Sequence, residues 1–167
     1  MNQERISKEK KEEYIDDLLS RSIASVYPSK EDLKKLLLSG KRLKVYIGAD
    51  ATGSDLHMGH ATNYILLEKF RRLGHKVVVL FGDFTAMIGD PTGKDSARKA
   101  LSSDVVKKNI RTWKKQLLPL LPFSGFSNKA KVVRNSSWLS KLNFADVIAL
   151  SSHFTVQQMI ERDMFDK

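Results

Sequence analysis

The sequence predicts an α/β fold, a parallel sheet with flanking helices that is preceded by N-terminal helices. Segments 44–49, 77–81 and 130–134 have the apolar character and the length of strands, and segments with helical periodicity separate them. The segment 77–81 is apolar throughout, as expected for a parallel strand that is covered on both faces. Strands that alternate with helices in this way favour right-handed βαβ units.

The N-terminal region has helix signals and no strand signal. Residues 8–26 have the spacing of an amphipathic helix, with apolar side chains on one face and charges opposite. Ser29 and Asp32 then form a variant of the capping box, so a second, short helix is expected from there to Gly40. We therefore predict an N-terminal helical segment over residues 1–40 and an α/β part over residues 41–167.

The rest of the chain alternates between the predicted strands and their connections. A helix at 57–73 follows the first strand, a polar loop at 82–98 follows the second, and a helix at 104–118 leads to the third. Beyond the third strand we expect Trp138 in the core. Two more helices are expected there, at 143–151 and from the capping box of Thr155 and Gln158 to the last residue. That last helix has no stop signal, so we expect the sequence to end inside a larger domain.

Composition excludes several classes of protein. The 167 residues contain no cysteine, so a disulfide framework or a thiolate metal site is excluded. The N-terminus is polar, and no apolar run approaches the roughly 20 residues of a membrane span. We therefore predict a cytoplasmic protein with no membrane partner. The formal net charge of +10 suits a nucleic-acid partner, although the basic residues are scattered in pairs and solubility alone would also explain them.

Two histidines mark the junction between the first predicted strand and the helix that follows it. His57 and His60 lie in the first helical turn on one face, and Gly59 between them lets a flat ligand such as a nucleobase come close. A helix N-terminus attracts phosphate, and two imidazole donors suit a phosphate that gains charge in a transition state. Zinc binding would need further ligands, for which Asp50 and Asp55 are candidates. Helix capping or core packing is the other alternative.

A glycine-bearing loop after the second strand contains G89-D-P-T-G-K-D95, which is close to a phosphate-binding P-loop. It departs from that pattern because its glycines are too close together. In addition, Asp95 occupies the position at which Ser or Thr would bind magnesium. A P-loop is therefore not predicted.

Several blocks, in order, resemble one known family. H57-M-G-H60 resembles the HIGH signature of class I aminoacyl-tRNA synthetases and related nucleotidyltransferases. The wider block Y46-I-G-A-D-A-T-G-S-D-L-H-M-G-H60, with G82-D-F-T-A-M-I-G-D-P-T-G-K94 and N135-S-S-W-L, resembles the bacterial tyrosyl-tRNA synthetases. The resemblance covers roughly residues 30–167. It implies a Rossmann-like nucleotide-binding fold and tyrosine–tRNA ligase activity.

The resemblance also implies a tyrosine site. Tyr46, at the end of its strand, matches the residue that hydrogen-bonds the substrate phenol, and Asn135 supports that site from the next strand. A pocket that pairs this hydroxyl rejects phenylalanine, because the analogue leaves buried polar groups unpaired. Thr85 and Asp90 match the site of the substrate amino group, where a carboxylate pairs with the ammonium.

The remaining matched residues are implied to act on ATP, with which Mg²⁺ would travel on the phosphates rather than in a protein metal site. The nucleotide pocket corresponds to Gly48, Asp50, His57, Gly59 and His60. The residues that stabilise charge during tyrosine activation correspond to Thr52, His57, His60, Lys94 and Arg98. Family members also bind tRNA(Tyr) and form homodimers, here through about residues 138–165.

Departures from the family pattern leave rival functions open. D50-A-T52 lacks the usual proline after the aspartate, and the chain ends before the KMSKS loop and the anticodon-binding domain. The chain by itself is therefore expected to have weak activity or none. Another nucleotidyltransferase of the HxGH superfamily, a tryptophanyl-tRNA synthetase, or a non-catalytic RNA-binding fragment are the alternatives. The T85-A-M-I-G-D90 block disfavours the first two of these, and Tyr46 also disfavours the tryptophanyl enzyme.

Overall fold

The fold is α/β, with three parallel strands in one sheet and helices packed around it, in a computed structural model that describes residues 6–7, 10–88 and 100–161. The strands are β1 (Lys44–Asp50), β2 (Lys76–Gly82) and β3 (Lys131–Arg134), and their order in the sheet is β1-β2-β3. The helices are α1 (Lys11–Arg21), α2 (Lys30–Leu38), α3 (Met58–Arg72), α4 (Asp83–Ile88), α5 (Ser103–Leu117), α6 (Ser136–Leu139), α7 (Phe144–Ser151) and α8 (Val156–Ile160). The predicted fold class is confirmed.

The strand register brings the carboxyl ends of the three strands to the same edge of the sheet. Asp50 pairs with Gly82, and one residue earlier along β2 Phe81 pairs with Arg134 of β3. In a parallel sheet, ligands bind at this edge, where loops lead from strands into helices. The register therefore places the predicted site residues that follow β1, β2 and β3 side by side.

The two faces of the sheet differ in burial. Val77, Val79 and Phe81 point to one face and are buried in the core, where Phe81 contacts Trp113 of α5 edge-on at 5.8 Å between ring centroids. The opposite face carries Val78 and Leu80, which are only half-buried in the described part of the chain. Among the described residues this strand is therefore fully buried on one face and only partly buried on the other.

The N-terminal helices share the hydrophobic core of the sheet. Ile15 and Leu18 of α1 and Leu37 of α2 are completely buried and belong to the same cluster as the strand residues. Helix α1 ends at Arg21, five residues before the predicted end. In its last turn the Ser20 hydroxyl donates to backbone carbonyls of the preceding turn, and such bonds compete with the helical backbone.

Two further expectations are corrected by the structure. The segment 82–98, predicted as a loop, contains helix α4 near its start. In the first turn of α4 the N–H of Phe84 donates to the Asp83 carboxylate at 3.0 Å. Trp138 is 43% exposed on the short helix α6 and is not a core residue.

The predicted helix at 143–151 is confirmed as α7, with Asn143 as its N-cap. In the described ranges no helix combines the length and the apolar character that crossing a membrane requires.

Candidate functional site

The two predicted histidines cap the first turn of α3. The N–H of Gly59 donates to Nδ1 of His57 at 3.1 Å, and the N–H of His57 donates to Nδ1 of His60 at 3.3 Å. Each side chain thus satisfies a backbone donor that the helix leaves without a partner. The capping alternative is observed, and it is compatible with a role in binding because it occupies only one nitrogen of each ring.

This capping geometry determines which nitrogen carries the proton. Because Nδ1 of each neutral imidazole accepts a hydrogen bond, the proton is on Nε2, which is then a donor. The two rings lie 3.9 Å apart between centroids. Burial lowers the pKa of His60 below its usual 6.5, and the neighbouring His57 lowers it further by charge repulsion. With Nδ1 of each ring accepting from the backbone, the pair presents two Nε2–H donors at the carboxyl edge of the sheet.

The imidazole ring of His57 folds closely over Gly59. A Cβ atom at this position would lie 3.0 Å from Cε1 and 3.1 Å from Nδ1 of His57. Contacts this short force the ring to move. The close approach that the sequence suggested for a ligand is made in the structure by His57 itself.

The turn that precedes α3, residues 51–56, is held by the polar side chains of α5. Nε1 of Trp113 donates to the carbonyl of Gly53 at 2.8 Å. Gln116 bonds the turn twice, donating to the Ser54 carbonyl and accepting from the Leu56 N–H, both at 2.9 Å. Two further bonds run from Asn109 to the Ala51 carbonyl at 2.9 Å and from Thr112 to the Ser54 carbonyl at 2.6 Å.

Sequence reasoning missed this role of α5, although its spacing contained a signal. Asn109, Thr112 and Gln116 repeat at intervals of three and four residues, so they lie on the helix face that also carries Trp113. Polar residues on a core-facing side need buried partners. The ring of Trp113 also lies 5.7 Å from that of His60, so α5 contacts both the turn and the histidine pair.

A second network joins the ends of all three strands. The Thr85 hydroxyl donates to Oδ1 of Asp50 at 2.6 Å and accepts a hydrogen bond from Nδ2 of Asn135 at 2.9 Å. Oδ1 of Asn135 accepts the N–H of Phe84 at 2.9 Å. We call Asp50, Thr85 and Asn135 the strand-end network. Three residues that were predicted for this site, from β1, α4 and the loop after β3, are thus brought into direct contact.

Gly82 makes room for this network, and sequence reasoning did not single it out. A Cβ atom on Gly82 would overlap Oδ1 of Asp50 and would lie 2.6 Å from the Thr85 hydroxyl. Any other residue at this position would therefore separate Asp50 from Thr85. The strand register reveals this role, because Gly82, at the end of the middle strand β2, pairs with Asp50, the last residue of β1.

The other predicted residues fall into two groups. Tyr46 is the third residue of β1 rather than its last, and its side chain is 67% exposed. Because side chains alternate along a strand, it shares a face with Gly48 and Asp50. Thr52 lies in the turn, where its N–H donates to the Asp50 carbonyl at 2.8 Å. The remaining three predicted positions, Asp90, Lys94 and Arg98, lie outside the described residues.

A comparison with protein families matches residues 38–167 to the class I tRNA synthetases for tryptophan and tyrosine. The tyrosine–tRNA ligase of Carboxydothermus hydrogenoformans is 45% identical over 154 residues, which are 90% of this chain and 36% of that protein. The tyrosine–tRNA ligase of Haemophilus influenzae is 45% identical over 139 residues, covering 83% of this chain and 34% of its own. The chain therefore spans about a third of the length of these curated relatives.

Solved structures show the same fold. The mitochondrial tyrosyl-tRNA synthetase of Aspergillus nidulans superimposes with a TM-score of 0.75 at 24% identity, over 92% of this chain and 46% of that one. The tryptophanyl-tRNA synthetase of Plasmodium falciparum gives a TM-score of 0.54 at 13% identity, over 94% of this chain and 42% of that one. At such identities the likeness concerns the fold and does not separate tyrosine from tryptophan as substrate.

Proposed function

Because this chain belongs to the class I tRNA synthetases for tryptophan and tyrosine, we propose that it provides the N-terminal part of the catalytic domain of a tyrosine–tRNA ligase. The ligase activates tyrosine with ATP to tyrosyl-adenylate and transfers the tyrosyl group to tRNA(Tyr). In this proposal residues 1–40 are the N-terminal helical segment and residues 41–167 are part of the catalytic domain. The identity to relatives named tyrosine–tRNA ligase supports tyrosine over tryptophan.

The observation that carries this proposal is the pair of Nε2–H donors of His57 and His60 at the strand edge. In the proposed reaction the tyrosine carboxylate attacks the α-phosphate of ATP in line, and pyrophosphate leaves. No side chain acts as a nucleophile. The enzyme positions the two reactants, and its hydrogen-bond donors stabilise the charge that grows on the phosphate oxygens. Lys94 and Arg98 are proposed to add positive charge toward the pyrophosphate.

Two members of the strand-end network, Thr85 and Asn135, are proposed to hold the tyrosine. Asn135 and Thr85 are fixed by hydrogen bonds at 2.9 Å and 2.6 Å, so neither side chain has to be ordered when the substrate binds. Tyr46 extends from the same sheet face as Asp50 and is exposed, which leaves its hydroxyl available to pair with a substrate phenol. Asp90 is proposed to pair with the ammonium group.

ATP is proposed to lie along β1 and the start of α3, against Gly48, Asp50 and Gly59. The hydrogen-bond donors at this place suit the phosphates of ATP, because the imidazoles of His57 and His60 and the start of α3 all supply N–H groups. In residues 6–7, 10–88 and 100–161 no three His, Asp or Glu side chains come together as metal ligands. Mg²⁺ is proposed to be held mainly by the phosphate oxygens of ATP, whose charge it would neutralise.

The proposal includes a homodimer and a cytoplasmic location. We define the C-terminal segment as residues 136–160, which contain α6, α7 and α8. Its exposed apolar side chains include Phe144 at 80% and Phe154 at 60% exposure, together with Val147, Ile148, Leu150, Val156 and Met159. An exposed apolar surface of this kind marks an interaction site. This supports dimerisation through about residues 138–165.

The proposal is tested by tyrosine-dependent exchange of pyrophosphate into ATP, on this chain and on a longer form that includes the rest of a synthetase. We expect exchange with tyrosine and none with tryptophan or phenylalanine in the longer form. His60→Ala should reduce the exchange rate about 100-fold or more, since a transition-state donor is lost. Thr62→Ala, two residues further along the same helix, is the matched control. Exchange with tryptophan alone, or with no amino acid, would overturn the assignment.

A further inference from the structure

Helix α5 has a second face that the proposed catalytic site does not use. Its inward side chains, Val106, Asn109, Ile110, Trp113 and Leu117, are buried and hold the helix against the core. Its outward side carries five exposed cations, which we call the basic face: Lys107, Lys108, Arg111, Lys114 and Lys115. Because the inward face is fixed, the five cations extend from a rigid support. The pairs that look scattered in the sequence form one surface.

Acidic side chains do not neutralise this face. Among the described residues, only Lys107 of the five is in an ion pair, with Asp104 at 3.6 Å. Residues 105–145 contain nine Lys and Arg and no Asp or Glu. By contrast, the lysine of α2 that lies near α1, Lys34, is paired with Asp16 at 2.7 Å. Positive charge therefore accumulates on α5, whereas acidic residues are concentrated in the N-terminal helices.

The spacing of the basic face matches a nucleic-acid strand. Lys108, Arg111 and Lys115 are three and four residues apart, so they form a row about 10 Å long at a rise of about 1.5 Å per residue. A nucleic-acid strand carries one negative charge about every 3.4 Å along its helix axis. A row of this length therefore lies alongside roughly three phosphates of one strand.

The composition of the basic face favours nucleic acid over an acidic protein. Protein interfaces have an apolar centre that is depleted in charge. Here the charged residues form the centre, and the exposed apolar residues of this helix region, Val105 and Leu118, lie only at its two ends. Phosphate binding needs cations and no apolar centre.

We propose that the basic face of α5 binds the phosphate backbone of RNA. The inference rests on the proposed function for its choice of RNA, because a ligase for tRNA has an RNA substrate. It adds a specific surface to that function. The same helix holds the turn before the histidine pair through its other side, so RNA on the basic face would lie one helix diameter, about 10 Å, from that turn.

The test compares two variants of equal charge. In the first, Lys108→Glu, Arg111→Glu and Lys115→Glu reverse the row. In the second, Lys129→Glu, Lys131→Glu and Lys141→Glu reverse three exposed lysines outside α5. Each substitution changes the charge by −2, so both variants go from +10 to +4. Affinity for a labelled RNA hairpin with a single-stranded 3′ end is measured by fluorescence anisotropy between 50 and 200 mM KCl, with circular dichroism to check folding.

We expect the row variant to lose at least about tenfold in affinity, and its dependence of log K on log salt to become less steep by roughly two, for three lost phosphate contacts. The control should lose less than about threefold. The same three positions changed to Gln should show an intermediate loss. Equal losses in the two variants, or no loss in the row variant, would overturn the proposal.

Poly-L-glutamate of matched charge separates RNA from an acidic polypeptide as the partner. We expect RNA to bind at least tenfold more tightly. Equal affinity for the two ligands would overturn the assignment to RNA. The binding assay is independent of catalysis: a failed exchange assay would overturn the proposed ligase and leave RNA binding at α5 measurable. Loss of the RNA site would leave tyrosine-dependent exchange intact.

Discussion

The histidine site and the C-terminal segment begin their helices in the same way but differ in what surrounds them. His57 and His60 cap α3, and Asn143 and Asp146 cap α7 with a reciprocal pair of bonds at 2.9 and 3.0 Å. The turn before α3 is then bound by side chains of α5. The apolar side chains of α7 remain exposed in the described part of the chain.

The difference separates what local sequence does from what tertiary packing does. A capping box satisfies the free N–H groups at a helix start and makes the helix form. It does not fix the position of that helix to the accuracy that chemistry requires, which depends on supporting residues. The histidine site has that support within this chain. The C-terminal segment has an apolar surface instead, which we propose is covered by a second copy.

The largest expected effect comes from the two tryptophans, one in each region. Trp113 is 2% exposed and bonds the Gly53 carbonyl, whereas Trp138 is 43% exposed. Trp113→Ala should lower the free energy of unfolding by about 3–5 kcal/mol, through lost burial and a cavity. Trp138→Ala should change it by less than about 0.5 kcal/mol, as surface substitutions do. Urea unfolding measures both, and similar losses would contradict the contrast between the regions.

The next effect concerns the space that Gly82 leaves for the strand-end network. Gly82→Ala should cost about 1–3 kcal/mol, because the added methyl group has to displace Asp50 or Thr85. Gly53→Ala is the matched control, since a Cβ at Gly53 meets nothing within 4 Å. If unfolding in urea shows the same midpoint for both variants, the network is not as tightly packed as the structure indicates.

A smaller effect is expected from the cap of α7. Asn143→Ala removes the acceptor for the Asp146 N–H and should destabilise the local helix by about 1 kcal/mol. Because the side chains of α7 are exposed, this loss should remain local. Amide hydrogen exchange in α7 should become about five times faster, whereas the urea midpoint of the whole chain should hardly move. A full 1 kcal/mol loss of global stability would show that α7 is coupled to the core.

The smallest effect is the pH dependence that His60 confers. Its pKa is below 6.5, first because burial disfavours the imidazolium and then because His57 repels it. The unfolded chain therefore binds this proton before the folded chain does, and stability falls as the pH drops below about 6.5 until the folded pKa is passed. His60→Gln should reduce this fall in urea unfolding measured from pH 7 to pH 5.

Histidine titration by NMR tests the two causes separately. His57→Gln removes the repulsion, so the pKa of His60 should rise while staying below 6.5, because burial remains. If the pKa of His60 did not move in this variant, burial would be the whole cause. The same spectra report the tautomer, and a proton on Nδ1 of either ring would contradict the capping geometry.

Much of the fold could be predicted because it depends on local patterns. The apolar run at 77–81, the spacing of residues 104–118 and the caps at Ser29 and Thr155 act within a few residues. The short helix α4 was missed, because it begins directly after β2, in a segment whose glycines and aspartates are typical of a loop. The early end of α1 was missed because its apolar spacing continues into Ile23, which packs on the core without being helical.

The site was predicted in part, for a different reason. His57 was identified from its position and spacing, and the roles of Asp50, Thr85 and Asn135 through a resemblance. The structure joins these last three through the Thr85 hydroxyl. Gln116 was not identified. Its spacing places it on the inward face of α5, but its partners are backbone groups about 60 residues away, and the spacing does not show which groups these are.

The bonds between α5 and the turn also set the time at which the histidine site can form. They join residues 58 to 62 positions apart, so these bonds to the turn cannot form until α5 has been made and has docked. Contacts of such sequence separation close late, because the loop entropy is lost before the bonds form. At 5–20 residues per second, a ribosome needs roughly 3–12 s to add about 60 residues. During that interval the two histidines of a nascent chain are already synthesised, but they do not yet form the site.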